Sequence, residues 1–263
     1  MLPLQAFGDL AGAVNLVRLH GCPGSVGGAP RLRENPRLDQ AARLLARGEN
    51  GHAAMERAGY RAVSSAFVRM THVSDDRAVE ALVSRRFCSQ ALDKAMREIG
   101  THRQGPDVWL VLAAPFLPPR PEAQAVVARR VLELTNLARS KPHRCGNVLY
   151  PAASPLVLAP ALEAAALEHS RDMAAHGYLD HTGHDGSSPP DRVSRTGYRW
   201  RVVGENLASG VMTADEAVSG WLASPHHCEN VMTAGFSQMA VAYAVNASSP
   251  GGIYWTQVFA TPR

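Results

Sequence analysis

Residues 123–139 (AQAVVARRVLELTNLAR) carry apolar side chains at Val126, Val127, Val131, Leu134 and Leu137, the spacing of one helical face. A second helix is expected over ALEAAALEHSRDMAAHG. Pro160 fits its first turn, where no amide donor is needed, and Gly177 is placed to end it. Residues 178–192 are rich in turn formers. The segment TADEAVSGWLAS (213–224) opens with Thr213 three residues before Glu216, the signature of a capping box. QMAVAYAV (238–245) and GIYWTQVFA (252–260) are β-branched and aromatic, and read as strands. Helices flanking an antiparallel sheet give a layered α/β (α+β) domain.

The first half of the chain repeats this pattern. Asn15-Leu16-Val17-Arg18 followed by Cys22 matches Asn136-Leu137-Ala138-Arg139 followed by Cys145. Leu32, Pro36, Leu38, Ala41 and Ala42 fall on Leu156, Pro160, Leu162, Ala165 and Ala166. Gly59-Tyr60-Arg61 falls on Gly197-Tyr198-Arg199, and Cys88–Ile99 on Cys228–Met239 without a gap. Finally VWLVLAA (108–114) lies on YWTQVFA (254–260). Matches in the same order, with cysteines at equivalent places, indicate a tandem duplication. The proline-rich stretch PFLPPRPEAQ separates the copies, because proline fixes φ and removes amide donors. The expected division is 1–116, a linker at 117–123, and 124–263.

The four cysteines, Cys22, Cys88, Cys145 and Cys228, form no CxxC pair, which fits disulfides in an oxidising compartment better than zinc or redox chemistry. By count alone they allow three pairings. The repeat selects one bridge inside each copy, Cys22–Cys88 and Cys145–Cys228. Hydrophobic content of 46% and charged content of 19% fit a globular chain, and no apolar run approaches the roughly 20 residues that span a bilayer. The opening MLPLQAFGDLAGAVNLVRLHG lacks the basic start and continuous apolar centre of a signal peptide. The expectation is a mature exported form, secreted, periplasmic or in the cell envelope, with Met1 added for expression. The net charge of +4 comes from the first half and is scattered, with Arg85-Arg86 its one basic doublet, so no nucleic-acid-binding stripe is expected. Nearly all the basic residues are Arg, a composition that suggests a GC-rich bacterial gene.

Four blocks carry a family resemblance: HSRDMAAHGYLDHT (169–182), GYRWRVVGENLASG (197–210), EAVSGWLASPHHCENVM (216–232) and GIYWTQVF (252–259). In order and spacing, residues from about 120 to 263 resemble the CAP superfamily (cysteine-rich secretory, antigen five and pathogenesis-related proteins; the SCP domain), most closely its bacterial branch. The resemblance implies a three-layer α-β-α sandwich with a polar central cleft. His181 matches the first cleft histidine, Glu205 the acid of the GEN element, and His227 the histidine of the SPxHxxN element that Asn230 completes. The second cleft glutamate of the eukaryotic branch is missing, because Leu222, Ala223 and Ser224 follow Trp221. Glu216 is read as a helix cap, and Glu229 has no assigned direction.

Two imidazoles and a carboxylate are a candidate set for zinc or another divalent cation, with no cofactor required. They are equally candidates for acid–base work, since histidine titrates near neutrality. His184 and His226 are read as exposed, and His169 and His176 as polar-face helix residues. Trp221 and Trp255 are read as core aromatics. No GxSxG, HExxH or P-loop occurs. The leading expectation is an exported binding module for a lipid, glycan or protein of the envelope or the exterior. The alternative is a metal-dependent or acid–base hydrolase of peptide or cell-wall bonds. In the first copy Phe67 falls on Glu205 and Phe87 on His227, and His181 has no counterpart. That copy is expected to be a degenerate CAP-like domain with a scaffolding or partner-binding role, the alternative being an unrelated domain.

Overall fold

Pro36 and Pro160 each open a helix whose small and aliphatic residues then lie against a sheet, and around these two helices the chain builds one layered unit twice. The computed structural model describes residues 8–263, so the expectation for Met1 lies outside the described residues. Contacts divide the chain into two units, Met1–Phe116 and Leu117–Arg263.

In the first unit α1 (Leu10–His20) leads through β1 (Gly21–Cys22), β2 (Ser25–Val26) and β3 (Arg33–Glu34) to α2 (Pro36–Ala46) and α3 (Gly51–Arg57). Strand β4 (Ala62–Met70), helices α4 (Asp76–Arg86) and α5 (Cys88–Leu92), and strands β5 (Glu98–Gln104) and β6 (Asp107–Pro115) complete it. In the second unit a 3-10 turn at Pro121–Ala123 precedes α6 (Gln124–Arg139), β7 (His143–Cys145), β8 (Val148–Tyr150), β9 (Val157–Leu158) and α7 (Pro160–His176). Then come α8 (Pro189–Arg195), β10 (Trp200–Ser209), α9 (Ala214–Ala223), α10 (Pro225–Met232), β11 (Gln238–Val245) and β12 (Ile253–Pro262).

The two main sheets have the same order, β3-β5-β6-β4 and β9-β11-β12-β10. In each, a short parallel strand lies on one edge and the other pairings are antiparallel. Hydrogen bonds repeat with the topology. Asn15 Nδ2 donates to the Leu32 carbonyl at 3.1 Å and Asn136 Nδ2 to the Leu156 carbonyl at 3.0 Å. The Leu32 and Leu156 amides answer at 2.8 Å. The disulfides are Cys22–Cys88 and Cys145–Cys228, one in each unit.

In the second unit Ala240 and Ala242 of β11 and Val258 and Ala260 of β12 bury against Leu162, Ala165 and Ala166 of α7 and Val193 of α8. The alternate residues face the other layer, where Gln257 Nε2 donates to Thr135 of α6 at 3.2 Å and Tyr243 packs on Trp255. This is an α-β-α sandwich. Helix α7 ends as expected at Gly177, whose φ of 71° is the left-handed conformation that favours glycine. The Thr213–Glu216 capping box is present. Three details of the sequence reading need correction. The last repeat match is one residue out, because Ile99 pairs with Leu112 where Met239 pairs with Phe259, so VWLVLAA lies on WTQVFAT (255–261). The face of α6 that enters the core is Ala128, Val131, Thr135 and Ala138, while Val126 and Leu137 are exposed. Buried Thr135 and Arg139 hide the true stripe from a purely apolar count. Residues 178–192 are not all turn, because Ser188 and Asp191 form a second capping box that starts α8.

Candidate functional site

Strand β10 lies on the sheet edge, and its alternating residues look into different layers. Glu205 faces α7 and α8, and Asn206 faces α10. Asn206 Nδ2 donates to the His227 carbonyl and to Gln257 Oε1, both at 3.1 Å. Asn230 Nδ2 donates to the Glu205 carbonyl at 3.0 Å and to Asn206 Oδ1 at 2.9 Å. The amides of this network pin α10, and with it His227, to the edge strand. Gly204 permits the close fit, since a Cβ there would lie 2.6 Å from Phe236 Cζ.

The Glu205 side chain is 2% exposed and has both oxygens engaged. Oε1 lies 2.8 Å from His181 Nδ1, and Oε2 accepts from Arg192 Nη2 at 2.8 Å. His181 rides on the loop after α7 with its side chain 53% exposed, so one edge of the ring is clamped and the rest meets solvent. His169, on α7, is fully buried. Its Nε2 bonds the Asp180 carbonyl at 2.8 Å and lies 4.0 Å from Glu205 Oε1, while its Nδ1 has no hydrogen-bond partner. The polar-face reading of His169 is therefore wrong. With Leu162, Ala165, Ala166 and Met173 it shares the buried stripe of α7.

The imidazoles are driven apart electrostatically. The bond to Glu205 raises the His181 pKa above its ordinary value. Burial lowers that of His227, and the nearby charges of His181 and His226 act in the same direction. Burial also lowers His169.

The structure joins His181 and Glu205 directly, and it ties His227 to the next residue of the same strand, through its carbonyl on Asn206. Glu216 caps α9 through the Met212 and Thr213 amides, as read. Glu229 is exposed and hydrogen-bonded to Tyr150. His184 is exposed, stacked on His176 with ring centroids 3.9 Å apart. Trp221 and Trp255 are core residues. Arg192 and Asn206 were not singled out in the sequence, and His169 was placed on the wrong face. For His169 the signal was present, since it falls seven residues after Leu162 and three after Ala166. For Arg192 only its place on a capped helix beside Val193 hinted at burial. Among the described residues, no group of three or more His, Cys, Asp or Glu side chains is placed to hold a metal ion. The donor chemistry agrees, because a cation at Glu205 would have to displace Arg192 or His181.

Residues 132–259 match the model of the Cysteine-rich secretory protein family, CAP. The second unit is a CAP domain. Over 139 residues the chain is 30% identical to the uncharacterized protein YkwD of Bacillus subtilis (strain 168), covering 53% of this chain and 49% of that protein. It is 27% identical over 118 residues to the uncharacterized membrane protein YlbC of the same organism, covering 45% of this chain and 32% of that protein. The chain thus spans about half, or less, of the length of these relatives. Among solved structures it resembles an extracellular SCP-domain protein of Bacillus anthracis, with TM-score 0.45, 23% identity, and 59% and 52% of the two chains covered. It also resembles an outer surface protein of Borrelia burgdorferi, with TM-score 0.41, 20% identity, and 54% and 94% covered. No helix among the described residues is long and apolar enough to cross a membrane. Both disulfides of the chain fit an oxidising compartment.

Proposed function

We propose that the CAP domain is an extracellular or envelope binding module whose cleft takes a polar group of a lipid, glycan or protein ligand between His181 and His227. The observation that carries this is the clamp on His181. Its Nδ1 sits 2.8 Å from a buried carboxylate while more than half of its side chain stays exposed. A ring held on one side and wet on the other is prepared to meet a ligand without first being ordered. A clamped histidine near the entrance also favours an anionic or hydrogen-bond-accepting group, because the cleft's one acid already has partners.

The test is sedimentation of the disulfide-intact chain with peptidoglycan sacculi, with envelope lipid vesicles and with envelope protein. Wild type is expected to be retained by one fraction, with several-fold weaker retention of His181→Ala and His227→Ala. Equal retention of all three proteins would remove the cleft from the binding surface.

The second reading is an acid–base hydrolase of peptide or cell-wall bonds. The opposite pKa displacements of His181 and His227 favour it, since one imidazole is inclined to hold a proton and the other to accept one. Release of soluble fragments from sacculi by wild type but not by His181→Ala would select it. For the first unit we infer a decayed CAP-like copy that serves as scaffold or partner surface. Phe67 and Phe87 there hold the places of Glu205 and His227.

A further inference from the structure

Arg192 is the one charged residue of α8 that is buried, at 2% exposure. Its Nη1 donates to the Ser187 carbonyl at 2.8 Å, and its Nη2 donates to the His181 carbonyl at 2.9 Å and to Glu205 Oε2 at 2.8 Å. One guanidinium thus ties the His181 loop and the Glu205 carboxylate together. We infer that Arg192 is the resident cation of the cleft: it occupies at Glu205 the electrostatic place a divalent ion would need, and so determines that His181, Glu205 and His227 do not take a metal.

Three observations converge on this. First, Glu205 has no free oxygen, since His181 holds the one that Arg192 does not. Second, the pair is buried on both sides, so an incoming dication would face a guanidinium with little water between them, and repulsion there is weakly screened. Moving Arg192 aside would strand its charge and free the Ser187 and His181 carbonyls. Third, the pair is absent as a pair from the first unit. Helices α3 and α8 have equal length and are capped by Asn50 and Ser188. Counting from these caps, Ala54 stands where Arg192 stands, and strand register puts Phe67 where Glu205 stands. Acid and base are both replaced by apolar residues.

The inference rests on the same cleft as the proposed function but is tested separately, because it reads zinc affinity and not envelope retention. Zinc is titrated calorimetrically into the full, disulfide-intact chain near neutral pH. Wild type is expected to show no zinc binding that His227→Ala removes. Arg192→Met is expected to gain zinc binding that wild type lacks, with the gain lost on adding Glu205→Gln or His227→Ala. Arg192→Gln keeps amide donors for the two carbonyls without the charge, and serves where Arg192→Met does not fold, as judged by near-ultraviolet circular dichroism. Wild-type zinc binding that depends on His227, or a folded Arg192 variant with no tighter zinc binding than wild type, overturns the inference.

Discussion

Phe67 stands opposite Val111 at the register position where Glu205 stands opposite Val258, and both edge strands carry an irregularity at the same place, between Ala62 and Ser64 and between Trp200 and Val202. The two edge strands share this register and carry different side chains at it. Around Glu205 stand Arg192, His169 and His181. Around Phe67 there is the start of α3, so close that a Cβ on Gly51 would meet the ring at 2.4 Å. The polar site therefore belongs to one unit alone, and substitutions that probe it must respect how its charges are paired.

Glu205→Ala is a poor test of function, because it leaves a buried guanidinium without its carboxylate. Breaking a buried pair in this way costs about 3–5 kcal/mol. Glu205→Gln keeps an acceptor for Arg192 and is expected to cost less. His181→Ala, at a half-exposed ring, should fall within about 1 kcal/mol of wild type. Urea unfolding of the three variants checks the order, and a Glu205→Ala protein as stable as His181→Ala would contradict the buried pair.

The histidines give a pH signature. An imidazole whose folded pKa exceeds its unfolded value, about 6.5, stabilises the fold below that value and loses the contribution as pH rises through the folded pKa. His181 is of this kind, through its bond to Glu205. His227 and His169 are displaced downward by burial, so falling pH favours the unfolded chain below about 6.5 as that state takes up their protons. In a proton–carbon NMR titration His181 is expected to titrate above, and His227 below, the ordinary imidazole value. Glu205→Gln should bring His181 down. A His181 that titrates below His227 would show that the clamp is not made in solution.

Much of this was readable from the chain because the same residues carry both pattern and structure. The Asn-Leu-x-Arg motif recurs because Asn15 and Asn136 bind equivalent leucine backbones, and the cysteines recur because each unit closes its own bridge. Pro160, Gly177 and the Thr213–Glu216 box act locally, so their meaning survives without tertiary information. The rest depended on burial. His169 was sent outward by its chemistry although its spacing put it on the buried stripe of α7, whereas for Arg192 only its contacts with Glu205 and the 181–187 loop show why it points in. The face of α6 was misjudged for the same reason, since Thr135 and Arg139 are buried polar groups with partners elsewhere.

The disulfides should matter most where they close long loops. Cys145 and Cys228 are 83 residues apart, and Cys22 and Cys88 are 66 apart. Cys145→Ser with Cys228→Ser is expected to lose about 2–4 kcal/mol, mainly because the unfolded chain gains freedom. Thermal unfolding under non-reducing conditions measures it, and peptide mapping that joined Cys22 to Cys145 would reject the pairing.

The shared wiring makes a sharper demand on Arg139 and Arg18. Arg139, fully buried, donates to the Ser154 carbonyl at 2.8 Å, to Val231 at 2.8 Å, to Thr233 at 2.9 Å and to Phe236 at 3.3 Å. Arg18 donates to Pro30 at 2.6 Å, to Ala91, to Asp93 at 3.1 Å and to Met96 at 3.0 Å, the equivalent carbonyls of the first unit. Burial lowers the pKa of both guanidinium groups, but an arginine starts so far above neutrality that each stays charged. Each therefore ties together several carbonyls at and beyond the end of a short helix, two of which, Thr233 and Asp93, also accept from the Phe236 and Met96 amides at 3.4 and 3.3 Å. Methionine fills similar volume and supplies no donor, and each stranded buried acceptor costs about 1–3 kcal/mol. Arg139→Met and Arg18→Met are thus expected to lose several times that of an ordinary surface change, each in its own unit. Hydrogen exchange read unit by unit distinguishes this from general destabilisation. Loss of protection confined to residues 117–263 in Arg139→Met, and to the first unit in Arg18→Met, is the expected result, whereas unchanged protection in either variant would mean that water replaces the arginine at those carbonyls.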